Sequence, residues 1–496
     1  MRYTSTRDNK AVVSSAYAIA HGLSVEGGLF VPETIPALKK ADFEALEKLD
    51  YVGRAEYILK GFLTDFSDEE ITYCAKGAYL GSFDEDKPAP LKALDDKTNI
   101  LELWHGPTCA FKDLALQILP YLLTTSAKKV ADGKKTVILV ATSGDTGKAA
   151  LEGFCDVKDT EIMVFYPSDG VSPMQQLQMN TQKGENVYVC AIKGNFDDAQ
   201  TGVKTIFTDD KIKALLKDNN MQFSSANSIN WGRLAPQIIY YVSAYCDLLA
   251  KGEEYLKDGF NVCVPTGNFG NILAAYYAKA MGVPINKLIC ASNSNNVLTD
   301  FINTGIYDRN RSFYTTISPS MDILISSNLE RMLYELTDKD DKKIALWQSE
   351  LKENGKYTVD ETVLAKLKEL FWGGCCDEEK TQKTINETFN KYGYLIDTHT
   401  AVAVSVYEDY KKTSGDERPV VIASTASPYK FAHSVLDSLG IEVPADEFEA
   451  VDTLRDATNT TPPAPLSVLK TAKVRFSNVC EKQDMSKVVL NRLGIK

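Results

Sequence analysis

Thr136-Val-Ile-Leu-Val-Ala-Thr142, followed by Ser143-Gly-Asp-Thr-Gly147, is the stretch that decides the fold. The apolar, β-branched run predicts a buried strand, and the glycines and hydroxyl residues after it predict a turn into a helix. This alternation continues along the chain, which is typical of a parallel sheet with crossover helices and indicates an α/β fold. The predicted strands are 136–142, 161–166, 186–192, 261–264, 288–291 and 420–423, and the predicted helices are 172–182, 197–208, 234–250 and 430–439.

The chain has 496 residues, more than a single hydrophobic core usually serves. We predict two open parallel-sheet lobes, an N-terminal domain and a helical insertion. The segment at about 328–395 carries Lys/Glu pairs at helix spacing and no convincing strand, so we interpret it as an inserted helical scaffold. The predicted domains are an N-terminal domain at 1–95, a small α/β domain at 131–219, and a large domain formed by 96–130 and 220–496.

The composition excludes several kinds of binding partner and indicates the cellular compartment. A net charge of -12 and the lack of a basic stripe argue against nucleic acid or an anionic membrane as a partner. Ten cysteines without zinc-type spacing predict reduced thiols and no metal site. Residues 1–10 lack the apolar core of a secretory signal, and no segment has the length of a membrane span. We therefore expect a cytoplasmic protein.

The stretch His105-Gly-Pro-Thr-Cys-Ala-Phe-Lys-Asp113 places a lone lysine in a small turn between two apolar runs. An amine in such a setting can lose part of its hydration, which lowers its pKa and leaves it free to condense with an aldehyde. Lys112 is therefore the first candidate for a catalytic residue, in the role by which a lysine holds pyridoxal phosphate. The alternative is an ordinary lysine whose ammonium group reaches solvent from a helix start.

Pro265-Thr-Gly-Asn-Phe-Gly-Asn271 lies between a β-branched strand and a predicted helix. Its glycines permit close backbone approach, so that amides at the helix start can converge on one phosphate. A tight turn with an asparagine cap is the alternative. The chain has neither a Gly-x-Gly-x-x-Gly fingerprint nor a Walker-type lysine loop, and this points to a single phosphate, not a dinucleotide.

Three further turns carry candidate binding residues. Ser143-Gly-Asp-Thr-Gly147 offers hydroxyls and amides for a carboxylate, and Asn227-Ser-Ile-Asn-Trp-Gly-Arg233 offers an arginine and amides for a phosphate. Ser424-Thr-Ala-Ser-Pro428 closes the last predicted strand and presents the neutral hydroxyl of Thr425. Each turn could instead hold an ordinary helix cap. Several of these turns follow strands of a parallel sheet, whose carboxyl edge is where such folds bind ligands.

At this point the sequence resembles the threonine synthase family, pyridoxal-phosphate enzymes of the tryptophan-synthase-β fold group (fold type II), in its longer microbial and fungal form. The resemblance runs over almost the whole chain. Its landmarks, in family order, are Gly27-Gly-Leu-Phe-Val-Pro32, His105-Gly-Pro-Thr108 with Phe111-Lys-Asp113, Ala141-Thr-Ser-Gly-Asp-Thr-Gly147, Pro265-Thr-Gly-Asn-Phe-Gly270 and Ser424-Thr-Ala426.

The resemblance implies a role for each candidate residue. Lys112 would hold pyridoxal 5'-phosphate as a Schiff base, and the hydroxyl of Thr425 would bond its pyridine nitrogen. The residues implied for the cofactor phosphate are Gly267, Asn268, Phe269, Gly270 and Asn271. Those implied for the substrate are Ser143, Asp145 and Thr146 at the α-carboxylate, and Asn227, Ser228 and Arg233 at the substrate phosphate.

The implied activity is that of a carbon-oxygen lyase that converts O-phospho-L-homoserine and water to L-threonine and phosphate, the final step of threonine biosynthesis. A phospho-amino-acid lyase or a serine/threonine dehydratase of the same fold would keep Lys112 and the cofactor loop. A dehydratase has no need of the second anion site at Arg233. A non-catalytic binding protein of this fold is the alternative from another class. The expected assembly is a monomer or homodimer.

Overall fold

The N-terminal part forms a small antiparallel sheet beside helices in the computed structural model, which describes residues 1–84, 87–130, 133–142, 144–168 and 171–495. The elements are β1 (Tyr3–Ser5), β2 (Asp8–Val13), α1 (Ser15–His21), β3 (Phe30–Pro32), α2 (Lys40–Leu46), α3 (Tyr51–Phe62) and α4 (Asp68–Tyr79). β1 pairs antiparallel with both β2 and β3. α3 buries Ile58, Leu59 and Phe62, a helical spacing that places one apolar face against the core.

The next segment leads into the Lys112 turn. Its elements are β4 (Leu91–Ala93), β5 (Thr98–Glu102), α5 (Asp113–Leu116) and α6 (Leu119–Val130). β5 is buried along its whole length and pairs antiparallel with β4. A buried strand of this kind fixes the start of the turn that follows it.

The small lobe is built as the strand and helix alternation predicts. Its elements are β6 (Lys135–Ala141), α7 (Asp145–Gly153), β7 (Thr160–Pro167), α8 (Pro173–Asn180), β8 (Val187–Lys193), α9 (Phe196–Thr208), α10 (Asp210–Asp218) and β9 (Met221–Ser224). The strands are parallel in the order β8, β7, β6, β9. β7 is buried on both faces, as crossover helices require.

The large lobe follows in chain order. Its elements are α11 (Trp231–Leu249), β10 (Phe260–Pro265), α12 (Gly270–Ala280), β11 (Ile285–Ser292), α13 (Val297–Thr304), β12 (Ile306–Asp308), α14 (Leu329–Leu336), α15 (Asp341–Asn354), β13 (Lys356–Thr358), α16 (Glu361–Leu370), β14 (Phe371–Cys375), α17 (Glu378–Tyr392), α18 (Thr398–Ser414), β15 (Val420–Ser424) and α19 (Ala432–Ser438). The main sheet has the order β14, β11, β10, β15, β5, β4, and all its strands except β4 are parallel.

The expectation of a strand-free insertion at about 328–395 is wrong. β14 pairs in parallel with β11 as an edge strand of the main sheet, and β13 pairs with β12. The sequence hides β14 because Gly373 and Gly374 have low strand propensity. A Cβ at Gly373 would come within 3.2 Å of the Ile302 Cβ, so glycine here allows the close approach of α13.

The predicted domain limits also need correction, because the small sheet gains strands from outside residues 131–219. The chain ends with α20 (Glu447–Thr458), α21 (Ala464–Ser467), β16 (Asn478–Glu481) and α22 (Met485–Arg492). β16 pairs in parallel with β8, and β9 pairs with β6, although 220–496 was predicted as large domain. β16 is partly exposed and has no long apolar run, so its pairing depends on tertiary context that the sequence pattern does not carry.

The candidate turns meet where the two parallel sheets face each other. They follow the carboxyl ends of β5, β10 and β15 in the main sheet and of β6 in the small sheet. Such an edge is the usual ligand position in open α/β sheets. No helix within the described ranges has the length and apolar character needed to cross a membrane.

Candidate active site

Lys112 lies at the start of α5, in the turn after β5. Its amine donates to Ser320 Oγ over 3.3 Å and stands 3.7 Å from Asp145 Oδ2. Only 11% of the side chain is exposed, and burial lowers the pKa of the amine despite the nearby carboxylate. Lys112 is thus a desolvated amine inside the protein, not a lysine that reaches solvent from a helix start.

Asp113 fixes the turn that carries Lys112. Its carboxylate accepts from the amide of Thr108 over 2.8 Å and from the hydroxyl of Thr108 over 2.7 Å. A Cβ at Gly106 would come within 2.5 Å of the Asp113 Cβ, so only glycine fits there. Burial raises the pKa of the Asp113 carboxyl to about 6. The hydrogen bonds between Asp113 and Thr108 therefore fix the backbone on both sides of Lys112.

Asp145 begins α7, and its carboxylate is already engaged by other side chains. Lys430 Nζ lies 2.5 Å from Oδ1, Gln175 donates to the same oxygen over 3.0 Å, and Ser320 Oγ donates to Oδ2 over 3.3 Å. Burial alone would raise the pKa of this carboxyl, but Lys430 and Lys112 hold it well below its usual range. Because like charges repel, a substrate carboxylate here must be met by amides and hydroxyls of the turn.

The rest of that turn is organised by Thr142. Its hydroxyl accepts from the amides of Gly144 over 3.0 Å and Gly147 over 2.9 Å. Thr146 is partly exposed in the first turn of α7. Ser143, the remaining predicted residue, lies outside the described residues. Thr142 is the last residue of the predicted strand, and in the structure its hydroxyl also fixes the turn after that strand.

The loop between β10 and α12 contains the predicted phosphate residues Gly267, Asn268, Phe269, Gly270 and Asn271. α12 begins at Gly270 without a side-chain cap, which leaves its first amides for another acceptor. Phe269 is in the left-handed region with φ 62°. A Cβ at Gly267 would come within 2.8 Å of the Ser320 carbonyl oxygen. The loop thus leaves the first amides of α12 without a side-chain cap, and at Gly267 there is no space for a side chain.

Two asparagine residues at this loop differ in how their side chains are satisfied. Asn328 donates from its backbone and its side chain to the carbonyl of Asn268, over 3.1 and 3.2 Å. Asn271 Oδ1 accepts from the hydroxyl of Tyr240 over 2.8 Å, whereas its Nδ2 is buried and has no partner among the described residues. A buried unpaired donor is costly, and a phosphate oxygen would satisfy it.

Arg233 lies in the first turn of α11 and is 3% exposed. It donates to the carbonyl of Ala226 over 2.6 Å, but its Nε is buried with no partner among the described residues. Within the described part of the chain, no carboxylate lies at ion-pair distance from its guanidinium, and burial lowers its pKa to about 10. A buried cation without a counter-charge indicates an anion site.

Asn227 and Ser228, the other predicted substrate-phosphate residues, are partly exposed in the loop before α11. The side chain of Asn328 donates to the carbonyl of Ser228 over 3.1 Å, and the same side chain contacts the carbonyl of Asn268. Asn328 therefore connects the predicted substrate-phosphate loop to the predicted cofactor-phosphate loop. The structure brings the two loops together.

Thr425 follows β15 and is buried beside the Lys112 turn. Its carbonyl accepts from the amide of Phe111 over 2.8 Å, and Ala110 and Ala426 form a bridge. No side chain in the described ranges hydrogen-bonds to the Thr425 hydroxyl. Thr425 thus stays a candidate ligand-binding residue beside the Lys112 turn.

Sequence reasoning missed several residues that contact the site. The set comprises Thr142, Gln175, Ser320, Asn328, His399 and Lys430. Lys430 could have been suspected, because it follows the Thr425 turn closely. The partners of Thr142 are also near in the sequence, at Gly144 and Gly147, so a turn-shaping role could have been suspected for it. The others carry no local signal, since their partners lie far away in the sequence.

Three family models match successive parts of the chain. They are threonine synthase N terminus at residues 2–79, pyridoxal-phosphate dependent enzyme at residues 89–369, and threonine synthase C-terminal at residues 400–489. The chain belongs to the threonine synthase family. Pyridoxal phosphate is its cofactor, and the uncapped loop at α12 and the buried Lys112 amine fit that group.

Curated members of the threonine synthase family resemble the chain over most of its length. The threonine synthase of Pseudomonas aeruginosa is 37% identical over 436 residues, which is 88% of this chain and 90% of that protein. The threonine synthase of Saccharomyces cerevisiae is 38% identical over 465 residues, 88% and 89% of the two chains. Threonine synthase-like 1 of Homo sapiens is 39% identical over 485 residues, 95% of this chain, and the chain spans 64% of the length of that relative.

Solved threonine synthase structures confirm the predicted fold. The pyridoxal-phosphate-bound enzyme of Brucella melitensis matches with a TM-score of 0.88 and 35% identity, covering 99% of both chains. The yeast enzyme matches with a TM-score of 0.87 and 34% identity, again over 99% of both chains. The tryptophan-synthase-β-like fold type II, with its parallel-sheet lobes, is therefore the fold of this chain.

Proposed function

We propose that the chain is a threonine synthase, a carbon-oxygen lyase acting on phosphate that converts O-phospho-L-homoserine and water to L-threonine and phosphate. The observation that carries the proposal is the buried guanidinium of Arg233, which has no counter-charge and a free Nε among the residues that the structure describes. The loop at α12 accounts for the cofactor phosphate and the turn at α7 for the α-carboxylate, so a further anion site is needed only by a substrate with a second anionic group. Membership in the threonine synthase family supports the same substrate.

The charges around the site favour a dianionic substrate. Lys430 and Arg233 both act on the Lys112 amine through space, and Asp145 is the carboxylate that faces Lys430 and Lys112. In a chain of net charge -12, such a local excess of buried positive charge attracts phosphate strongly, because the interior screens it little.

The loops would divide the binding work. We propose that the amides of residues 267–271 and the free Nδ2 of Asn271 hold the cofactor phosphate. The Thr425 hydroxyl would bond the pyridine nitrogen. The turn with Ser143, Asp145 and Thr146 would hold the α-carboxylate through its amides and hydroxyls. When bound, pyridoxal phosphate supplies the electron sink for negative charge at the substrate carbons.

Lys112 and Arg233 would then share the chemistry. Lys112 Nζ would take protons from the α- and β-carbons, and its lowered pKa makes the unprotonated amine easier to reach. Once phosphate has left, one proton goes to the γ-carbon, which becomes the methyl group, and one returns to the α-carbon. Arg233, with Asn227 and Ser228, holds the substrate phosphate until it leaves the γ-carbon. Water adds at the β-carbon to complete threonine.

Product analysis with O-phospho-L-homoserine tests the proposal. Purified protein with pyridoxal phosphate should release threonine and phosphate in equal amounts. Phosphate with 2-oxobutyrate would instead indicate a phospho-amino-acid lyase, and turnover of serine or threonine without phosphate release a dehydratase. Cofactor binding without any turnover would indicate a binding protein.

The remaining predictions concern the compartment, the oligomeric state and the partners of the enzyme. We propose a cytoplasmic monomer or homodimer without a nucleic-acid or membrane partner. The free state of all ten cysteines supports a reducing compartment. Light scattering of the purified protein would decide between monomer and homodimer.

A further inference from the structure

The short turn at Pro319–Met321 lies directly against the Lys112 amine. Ser320 Oγ accepts from Lys112 Nζ over 3.3 Å and donates to Asp145 Oδ2 over 3.3 Å. The carbonyl of Ser320 faces Gly267, where a Cβ would come within 2.8 Å of it. One residue thus touches the amine, its neighbouring carboxylate and the phosphate loop.

The hydrogen bonds of Ser320 set a direction for the amine. A serine hydroxyl has one proton to donate, and here that proton points at Asp145. The oxygen therefore offers only lone pairs to Lys112, so one N–H of the amine is directed at Ser320. Asp145 Oδ2, at 3.7 Å, stands beside the same nitrogen, so Ser320 and Asp145 together set the orientation of the amine.

The imidazole of His399 accepts a hydrogen bond from the backbone of Ser320. The amide of Ser320 lies 3.1 Å from His399 Nε2, and a backbone amide can only donate, so Nε2 is the unprotonated nitrogen. Nδ1 then carries the proton and donates to Asp397 Oδ1 over 2.8 Å. Both side chains are buried, and the ring of Phe431 packs against the imidazole at 5.0 Å.

The first residues of α18 make two further hydrogen bonds that hold His399 and the segment before Ser320. Asp397 caps the helix by accepting from the amide of His399 over 2.8 Å. The hydroxyl of Thr398 donates to the carbonyl of Ile317 over 2.7 Å. The segment before Ser320 is therefore attached to the same helix start at two points.

We propose that Ser320 and His399 are positioning residues for the Lys112 amine. Ser320 orients the nitrogen by direct contact, and His399, kept in one tautomer by Asp397, holds Ser320 in place. This inference rests on the proposed function only in that Lys112 is taken as the amine that reacts. A serine of merely structural value would leave the chemistry of Lys112 unchanged.

The test measures the amine itself in the full chain without cofactor. The rate at which an amine-reactive reagent labels Lys112 is followed by mass spectrometry as a function of pH. Asp145, Lys430 and Arg233 also face the amine and stay in place in Ser320→Ala. Loss of the hydroxyl acceptor should move the labelling midpoint to lower pH and raise labelling at neutral pH by about threefold, as expected for one lost hydrogen bond.

Steady-state rates supply the second readout. Ser320→Ala should lower kcat about tenfold while KM stays within about threefold, because the amine is misplaced and binding is not. His399→Leu should act in the same direction, and His399→Gln should restore most of the loss, since its amide oxygen can accept from the Ser320 amide. Ser405→Ala, a buried serine further along α18, is the matched control.

The outcomes separate this inference from the proposed function. A wild-type labelling midpoint and wild-type kcat in Ser320→Ala would overturn it, as would equal losses in His399→Gln and His399→Leu. Labelling needs no substrate, so a shifted midpoint supports the inference even if O-phospho-L-homoserine is not the substrate. Circular dichroism of each variant confirms that the fold is retained.

Discussion

Lys430 Nζ and Asp145 Oδ1 lie 2.5 Å apart with both side chains buried. Asp145 begins a helix of the small lobe, and Lys430 lies in the short turn after β15 of the main sheet. Lys430 also donates to the carbonyl of Thr108, next to the Lys112 turn. One buried ion pair thus joins the two lobes at the candidate active site.

Removal of Lys430 should destabilise the fold. Lys430→Met leaves Asp145 charged and buried, which costs about 3–5 kcal/mol for a broken buried pair. Thermal unfolding should show the loss, and the double variant Lys430→Met with Asp145→Asn should recover part of it. Lys193→Met, which breaks a solvent-exposed pair with Glu481, is the control and should leave the unfolding midpoint almost unchanged. Equal effects at the two lysines would contradict the prediction.

Arg233→Gln should weaken substrate binding without loss of the cofactor. A charged hydrogen bond of about 1.5–3 kcal/mol corresponds to a fall in kcat/KM of about 10- to 100-fold. Inhibition by inorganic phosphate should weaken in parallel, and the cofactor absorbance should stay unchanged. Arg455→Gln, on the exposed side of α20, is the control. Unaltered phosphate inhibition in Arg233→Gln would remove the substrate-phosphate assignment.

Lys112→Ala should abolish both covalent attachment of the cofactor and turnover. The absorbance of the lysine-bound cofactor should disappear, and kcat should fall by about 1,000-fold or more, since attachment and proton transfer are lost together. Lys158→Ala, an exposed lysine of the small lobe, should keep both properties. A Lys112→Ala enzyme with full activity would disprove the assigned role.

Asp113 should give the fold a measurable pH dependence. Burial raises the pKa of its carboxyl to about 6, so the native state holds this proton where the unfolded chain has lost it. The contribution of Asp113 to stability is therefore present at low pH and falls as pH rises from about 4 to about 6. Asp113→Asn has no carboxyl to ionise, so its unfolding free energy does not fall in this range. The difference between the unfolding free energies of the variant and the wild type should therefore shift in favour of the variant by about 2 kcal/mol between pH 4.5 and pH 7. Parallel stability curves for the two proteins would contradict it.

The sequence predicts those parts of the fold that carry a local pattern. The strand at 136–142 is found at Lys135–Ala141, and the strand at 261–264 is found within Phe260–Pro265. Long apolar runs bounded by turns leave little freedom, because only a buried strand satisfies them. The loop before α12 is predicted as a binding loop because it follows such a strand, and Lys112 is predicted as the reactive lysine because its turn lies between two apolar runs.

The parts that escaped prediction depend on contacts between distant residues. Ser320 meets Lys112 across more than two hundred residues, and Lys430 meets Asp145 across a still longer stretch. Neither Ser320 nor Lys430 differs locally from an ordinary turn residue. Asn328 lies at the start of the segment interpreted as scaffold, yet it supports the phosphate loop. Only the packed structure reveals these partners.

β16 gives the order of synthesis a consequence for folding. It covers the outer edge of β8, and the paired residues Lys193 and Glu481 lie 288 positions apart in the sequence. During translation, the small sheet is therefore complete in its interior while β8 still offers unpaired backbone groups to any neighbouring chain. Because β16 is synthesised long after β8, this edge is closed late, and its closure protects newly made protein against aggregation.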